Sequence, residues 1–267
     1  MVIVRIIGGL GNQMFQYAYA KALEKKGYQV CIDISEFKRY KLHGGYQLNK
    51  FKIDMQKAST LAILFAKIGF RKSIKEKSLL FDKELLNVPK TAYLKGYFQN
   101  ENYFLNCKNL LLEQFKINKE FSKTTTSYKH KILKENNSCS IHIRRGDFVS
   151  NQKANKVHGI CDIDYYKRAI NFLESQYKNI YFFVFSDDIT WAKSNLKLQN
   201  ATYVEHQVIP HEDLFLMSIC RFNITANSSF SWWAAWLNQH KNKVVIAPKQ
   251  WFVSKENEIA CDNWIKL

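Results

Sequence analysis

The chain has 267 residues, 46% of them apolar and 15% aromatic, so it can bury one large core or two smaller ones. Six scattered cysteines without zinc spacing argue against a disulfide framework and a zinc site, and no apolar run reaches the roughly 18 residues that span a bilayer. The formal net charge of +17 predicts attraction to anions, such as nucleotides, nucleic acid or an acidic membrane surface.

The first 34 residues predict a β-α-β unit and therefore an α/β fold. An apolar run predicts a strand over residues 2–7, helical spacing predicts a helix over residues 13–26, and residues 28–34 predict a second strand. The turn Gly-Gly-Leu-Gly-Asn at residues 8–12 lacks the third glycine of the dinucleotide fingerprint and the lysine of a P-loop. Asn12 is either the N-cap of the helix or a ligand contact.

The middle of the chain is less regular. Residues 60–70 predict a helix, residues 92–98 predict a strand, and residues 104–115 are mixed. Residues 122–137 are polar and basic, and we place the boundary between two domains there, at 130/131.

The second half alternates again, which is typical of a second doubly wound unit. Strands are predicted over residues 139–144, 180–185, 201–204, 222–225 and 244–247, and helices over residues 163–177, 211–219 and 230–239. Three tryptophans at helical spacing, Trp232, Trp233 and Trp236, are assigned to packing.

Polar clusters follow four predicted strands, where open α/β sheets bind ligands. They lie at residues 8–12, 144–147, 186–188 and 226–229. Because these clusters come from both halves, they predict a site in a cleft between two domains.

The cluster after residue 143 begins with Arg144 and Arg145. A planar guanidinium matches two oxygens of a pyrophosphate, although a solvated loop with ordinary surface ion pairs is the alternative. Ser228 and Ser229 open a helix whose N–H groups could bind an anion without a metal, or one of them is simply the N-cap. His158, in a polar loop, is a weak candidate for acid–base chemistry.

Acidic residues also stand at helix starts. Asp187 and Asp188 are typical helix caps, and so is Asp213. A carboxylate at residue 213 could instead accept both N–H donors of a guanine edge.

Three long motifs together resemble the bacterial branch of the alpha-1,2-fucosyltransferases, glycosyltransferase family 11. They are Gly-Gly-Leu-Gly-Asn-Gln-Met-Phe-Gln-Tyr-Ala at residues 8–18, His-Ile-Arg-Arg-Gly-Asp at residues 142–147 and Asn-Ser-Ser-Phe-Ser-Trp-Trp at residues 227–233. The resemblance spans the whole chain. It implies a GT-B fold, in which two Rossmann-like domains face a cleft: residues 1–130 on the acceptor side and residues 131–267 binding the donor.

The resemblance also implies the reaction. L-fucose would move from GDP-L-fucose to the 2-hydroxyl of a terminal galactose during surface-glycan or O-antigen synthesis, with inversion at the anomeric carbon and without a metal or other cofactor. The partners would be GDP-fucose and a galactose-terminated oligosaccharide.

Residue roles follow from the same resemblance. Arg144 would hold the pyrophosphate with support from Arg145, and the remaining donor contacts would be His142, Asp187, Asp188, Asp213, Asn227, Ser228, Ser229 and Phe230. Gly9, Gly11, Asn12, Gln13 and His158 would line the cleft on the acceptor side. Asp147 is the candidate base, His158 is an alternative, and the reaction could also proceed without a strong base.

A second hypothesis is a basic α/β protein that binds nucleic acid or a membrane surface without transferase activity. It leaves the four polar clusters unexplained, and no known nucleic-acid module occurs. We expect a cytoplasmic protein that binds no nucleic acid and contacts the acidic inner membrane peripherally at most.

Overall fold

The computed structural model describes residues 1–39, 44–146, 156–157, 159–205 and 209–267. The chain divides into two compact units, Met1–Lys119 with Glu256–Cys261 and Glu120–Lys255 with Asp262–Leu267. The boundary that we drew at 130/131 falls inside a helix that belongs wholly to the second unit.

The first unit is built on a four-stranded parallel sheet of order β2-β1-β4-β3. Its elements are β1 (Val2–Arg5), α1 (Leu10–Lys25), β2 (Val30–Asp33), α2 (Thr60–Lys67), β3 (Lys72–Lys75), β4 (Ala92–Lys95) and α3 (Lys108–Gln114). Short 3-10 helices lie at Ser35–Lys38, Leu48–Lys50, Lys83–Leu86, Glu101–Tyr103 and Leu105–Cys107. Apolar side chains of α1 and β1 form the centre of this unit.

The second unit is built on a six-stranded parallel sheet of order β7-β6-β5-β8-β9-β10. Its elements are α4 (Lys123–Lys134), β5 (Ser138–Ile143), α5 (Ile163–Gln176), β6 (Tyr181–Ser186), α6 (Ile189–Asn195), β7 (Ala201–Tyr203), α7 (Pro210–Ser218), β8 (Phe222–Ile224), α8 (Ser229–Leu237), β9 (Val244–Ala247) and β10 (Ile265–Lys266). Numbered from β5, this is the Rossmann order 3-2-1-4-5-6, in which chain direction across the sheet reverses between β5 and β8.

The alternation along β5 determines which side chains reach each face of the sheet. Cys139, Ile141 and Ile143 join the apolar core with Tyr166 and Leu173 of α5. The intervening residues therefore face the other side, where the amide of Asn223 donates to the hydroxyl of Ser140 at 2.7 Å. The prediction that Trp232, Trp233 and Trp236 pack in the core is confirmed, since each is at most 3% exposed.

The predicted strands and helices of the second half are present, with ends that differ by one or two residues. In the first half, α1 begins at Leu10 and its N-cap is Gly9. Asn12 therefore lies inside the first turn, and its interpretation as the N-cap is wrong. The glycine turn is compact enough for the helix to begin three residues earlier than apolar spacing alone indicates.

Helix α4 occupies the polar stretch that we interpreted as a boundary. The hydroxyl of Ser122 caps it by accepting from the N–H of Thr125, and the buried Glu212 of α7 accepts from both hydroxyls and from the N–H of Ser122. Burial raises the pKa of Glu212, but these hydrogen bonds outweigh it and hold the pKa below its usual range. A carboxylate from α7 thus stabilises the start of a helix that has few apolar residues of its own.

Candidate active site

The carboxyl ends of β6, β5 and β8 lie side by side in the second unit, around the point where the strand order reverses. The register pairs Ile143 with Ser186 and Ile141 with Ile224. Polar residues follow all three strands, so the clusters predicted at 144–147, 186–188 and 226–229 come from neighbouring strands. Ligands of open α/β sheets bind in the crevice outside this point.

Arg144 is held in place by Asp187. One guanidinium nitrogen of Arg144, Nη1, lies 3.0 Å from Oδ2 of Asp187, and the other carboxylate oxygen accepts from the backbone N–H of Arg145 at 2.8 Å. The side chain of Arg144 remains 28% exposed. One carboxylate therefore fixes both the backbone after β5 and the guanidinium that extends from it, in a side chain that stays partly exposed.

Arg145 is oriented by α6. Its Nε lies 3.4 Å from Oδ2 of Asp188, and its guanidinium carbon lies 4.0 Å from the ring centroid of Trp191. Asp188 also caps α6 by accepting from the N–H of Trp191 at 3.1 Å. The sequence motifs did not identify Trp191, whose position three residues after a capping aspartate was the available signal.

Gly146 lies against the same carboxylate. A Cβ built on Gly146 would lie 2.8 Å from Oδ2 of Asp187, which is closer than such contacts normally come. A side chain at residue 146 would therefore displace Asp187. The sequence left the two aspartates with either a structural role or a place near the nucleotide; the geometry gives both of them contacts to the arginine pair.

His142 is buried at the end of β5, and its ring centroid lies 5.5 Å from that of Phe230 in the first turn of α8. This contact places the end of β5 and the start of α8 together. Burial lowers the pKa of His142 to about 4; Asp187 opposes this effect and Arg144 adds to it. The imidazole is therefore neutral at neutral pH, and its buried Nδ1 has no hydrogen-bond partner among the described residues.

The lowered pKa of His142 predicts acid destabilisation. An unfolded chain protonates this residue near pH 6.5, whereas the folded chain does so only near pH 4. The contribution of neutral His142 to the free energy of unfolding is therefore at its full value above pH 6.5. It falls by about 3 kcal/mol as the pH is lowered to 4. Urea unfolding across this range should give a flatter pH dependence for His142→Asn than for the wild type, with exposed His240→Asn as the control. Parallel curves for His142→Asn and the wild type would contradict the assignment.

The start of α8 is capped by Ser228, whose hydroxyl accepts from the N–H of Phe230 at 3.3 Å. The hydroxyl of Ser231 accepts from the N–H of Ala226 at 3.2 Å, which closes the turn. Ser228 and Ser229 are half-buried. Of these two serines, the N-cap is Ser228, and the geometry allows both to border a ligand at the first turn of this helix.

Asn227 is buried and holds the surrounding loops. Its amide lies 3.4 Å from the carbonyl oxygens of both Gly159 and Trp251, and its side-chain oxygen lies 3.5 Å from the thiol of Cys161. Asp213 is half-buried in the first turn of α7, whose N-cap is Ile209. Asp213 is therefore not the cap, and its predicted contact with the base of the nucleotide stays a prediction.

The cluster at residues 8–12 belongs to the first unit. Here the buried Gln13 donates to the carbonyl oxygens of Gly8 and Gly45, both at 2.8 Å, and accepts from the N–H of Gln47 at 2.9 Å. Asn12 accepts from the amide of Gln99 at 2.8 Å. Gln13 thus holds two loops together at the carboxyl end of β1.

Gln16, almost one helical turn after Gln13, also joins two loops. It accepts from the N–H of Ile7 at 2.8 Å and donates to the carbonyl oxygen of Gly96, after β4, at 2.9 Å. Gly9 and Gly11 lie in the turn and the first residues of α1. The assignment of Gly9, Gly11, Asn12 and Gln13 to the acceptor side stays a prediction.

Two candidate residues, Asp147 and His158, lie outside the described residues. Within the described ranges, no three or more His, Cys, Asp and Glu side chains are grouped to hold a metal ion. The six cysteines are free thiols. The helices in the described part of the chain are all too short or too polar to cross a membrane.

Comparison with known proteins gives one family and a consistent set of relatives. The profile of glycosyl transferase family 11 matches residues 1–267. An alpha-1,2-colitosyltransferase of Escherichia coli is 38% identical over 96% of this chain and 94% of its own length. The O-antigen biosynthesis glycosyltransferase WbnK of Escherichia coli is 34% identical over 97% and 98%. A galactoside alpha-(1,2)-fucosyltransferase 2 of Hylobates lar is 23% identical over 89% of this chain and 69% of its own.

Among solved structures, a crystal of the NodZ alpha-1,6-fucosyltransferase soaked with GDP-fucose matches with a TM-score of 0.50. The two chains are 12% identical, and the match covers 88% of this chain and 91% of the other. At this identity the likeness concerns the fold alone. The predicted α/β fold of the GT-B type, with two Rossmann-like units, is confirmed.

Proposed function

We propose that this chain, which belongs to glycosyl transferase family 11, moves L-fucose from GDP-L-fucose to the 2-hydroxyl of a terminal galactose. One observation carries the proposal. Arg144, fixed by Asp187 at 3.0 Å, follows the strand that adjoins the reversal of strand order, and His142 near the end of that strand contacts Phe230 in the first turn of α8. A guanidinium and a helix N-terminus at one edge of a sheet favour an anionic ligand, such as the diphosphate of a nucleotide sugar.

The reaction exchanges one bond for another at the anomeric carbon of the donor. The bond from that carbon to the phosphate oxygen breaks, and GDP leaves with the electron pair. The acceptor oxygen attacks from the opposite face and inverts the centre, while its proton passes to a base, for which we propose Asp147, with His158 as the alternative. Arg144 stabilises the charge that develops on the leaving phosphate.

We propose that the reaction uses no metal ion. The two aspartates nearest the arginine pair are already engaged, since Asp187 contacts Arg144 and the N–H of Arg145, and Asp188 caps α6 and contacts Arg145. The carboxylates of Asp187 and Asp188 are therefore paired with the two arginines. His142 and Asp213 are proposed contacts of the nucleoside, and Ser228 and Ser229 of the phosphates.

GDP-colitose is a second candidate donor, because a relative that is 38% identical is an alpha-1,2-colitosyltransferase. Colitose is L-fucose without its 3-hydroxyl. A site that binds this hydroxyl would reject the deoxy sugar by about 10⁴-fold or more, whereas a site that does not bind it would accept both. The ratio of the kcat/KM values for GDP-fucose and GDP-colitose therefore distinguishes these two kinds of site.

The setting is proposed to be O-antigen or other surface-glycan synthesis, by analogy with WbnK, an O-antigen biosynthesis glycosyltransferase. The six free thiols support the proposal that the enzyme acts in a reducing compartment such as the cytoplasm. Family membership favours this proposal over a nucleic-acid-binding protein, and we expect no nucleic acid partner.

The test is transfer from GDP-L-fucose, GDP-colitose and a uridine-linked sugar, each offered with lactose, N-acetyllactosamine and galactosyl-N-acetylgalactosamine. We expect a product in which the sugar is alpha-linked to the galactose 2-hydroxyl. Transfer to another hydroxyl, or preference for a uridine-linked donor over both guanosine-linked donors, would overturn the proposal.

A further inference from the structure

Helix α2 of the first unit exposes an apolar surface that nothing in the site explains. Its inner residues Ile63 and Ala66 are buried, and Ala66 packs against Ile3 and Tyr93 of the sheet. The outer residues and the turn that follows are exposed: Leu61 at 67%, Leu64 at 50%, Phe65 at 47%, Ile68 at 59% and Phe70 at 74%. We call these five residues the α2 patch.

The α2 patch is an ordered surface. Gly69, at a φ of +97°, reverses the chain at the end of α2, and the N–H of Phe70 donates to the carbonyl oxygen of Phe65 at 3.0 Å. The rings of these two phenylalanines meet edge to face, with centroids 5.5 Å apart. The turn thus holds Phe70 on the same side as Phe65. Contiguous exposed apolar residues of this kind mark an interaction surface more often than scattered ones do.

The charge of the chain segment around the α2 patch is mainly positive. Residues 57–77 carry six cations, at Lys57, Lys67, Arg71, Lys72, Lys75 and Lys77, and one carboxylate, Glu76. That carboxylate accepts hydrogen bonds from the backbone N–H groups of Tyr97 and Phe98, at 2.7 and 3.1 Å. The five lysines are exposed. The chain segment that contains the patch is therefore strongly cationic.

We propose that the α2 patch docks this enzyme on an anionic lipid bilayer. Apolar side chains on a surface helix enter the boundary between headgroups and acyl chains, and neighbouring lysines attract anionic headgroups. A second copy of this chain fits less well, because a symmetric dimer through this patch would set the two sets of cations against each other. The inference rests on the α2 patch and the cations that flank it in the chain, and it is independent of the donor and acceptor.

The test is flotation of the purified full chain with large unilamellar vesicles. One set contains equal amounts of phosphatidylglycerol and phosphatidylcholine, and the other contains phosphatidylcholine alone. We expect binding to the anionic vesicles, at least tenfold weaker binding to the neutral ones, and loss in about 0.5 M NaCl. The variant Leu64→Ser/Phe65→Ser should bind at least tenfold more weakly than the wild type.

Matched variants separate the patch from general charge. Leu133→Ser changes a leucine of α4 that is 61% exposed and should bind as the wild type does. Lys67→Gln/Lys72→Gln/Lys75→Gln should weaken binding, whereas Lys178→Gln/Lys197→Gln/Lys241→Gln, with the same net charge, should not. Should the double serine variant melt early, Phe70→Ser alone replaces it.

Three results would overturn the proposal. The first is a wild type that does not bind anionic vesicles. The second is equal binding by the wild type and the patch variants. The third is a wild-type dimer in sedimentation that the patch variants convert to monomers, which would assign this surface to a second copy of the chain.

Discussion

Replacement of Arg144 by alanine should lower kcat by about 10²- to 10³-fold and leave the chain folded. Removing one fixed group that stabilises developing charge typically has an effect of this size. The fold should survive because Asp187 still accepts from the N–H of Arg145 at 2.8 Å, and because Arg144 follows β5 rather than forming part of its core. The measurement is steady-state transfer with saturating donor, together with thermal unfolding.

Two further variants make this result specific. Arg144→Lys keeps the charge but loses the planar fork, so we expect activity between those of the wild type and the alanine variant. Arg168→Ala removes an exposed arginine of α5 and the same unit of charge, and should transfer at the wild-type rate. Near wild-type activity of folded Arg144→Ala would contradict the role assigned to this residue.

The second large effect is expected at Asp187, for which we propose a positioning role through Arg144. Asp187→Ala removes the partner of the guanidinium at 3.0 Å and the acceptor for the N–H of Arg145. A reacting group displaced by about 1 Å can cost about 10²-fold in rate, so kcat should fall by about 10- to 100-fold. Affinity for GDP should not weaken in parallel, because loss of a carboxylate makes the site more positive.

A double-mutant cycle distinguishes positioning from a separate contact with the donor. If Asp187 acts through Arg144, then Arg144→Ala/Asp187→Ala should be hardly slower than Arg144→Ala alone. Asp164→Ala, at an exposed aspartate of α5, is the matched control. Independent, multiplying effects on kcat, or a selective rise in the Kd for GDP, would show that Asp187 meets the donor itself.

The sequence predicted the location of the site better than its internal contacts. Alternation along β5 indicated that Arg144 lies at the end of a buried strand, and helical spacing predicted α8 after Ser228. The ion pair of Arg144 with Asp187 joins residues 43 positions apart, counted from 144 to 187, and it depends on the register of β5 with β6. Side-chain pairing of this kind has no local signature.

Helix α4 and the glutamines of α1 illustrate the same limit. The buried side chains of α4 are Thr125 and Ile132, so apolar periodicity was absent, and the helix is stabilised by a distant carboxylate on α7. Gln13 and Gln16 bond to carbonyl oxygens of loops whose course the sequence did not reveal, those of Gly45 and Gly96. In each case the decisive partner comes from another element of the fold.

The most direct test of the central claim is the rate of transfer by the wild type and by Arg144→Ala, first in EDTA and then with added Mn²⁺ or Mg²⁺. If the guanidinium of Arg144 neutralises the leaving diphosphate, EDTA should not change the transfer rate of the wild type. Neither ion should then restore the transfer rate of Arg144→Ala. A wild type that EDTA inactivates and Mn²⁺ reactivates would contradict it.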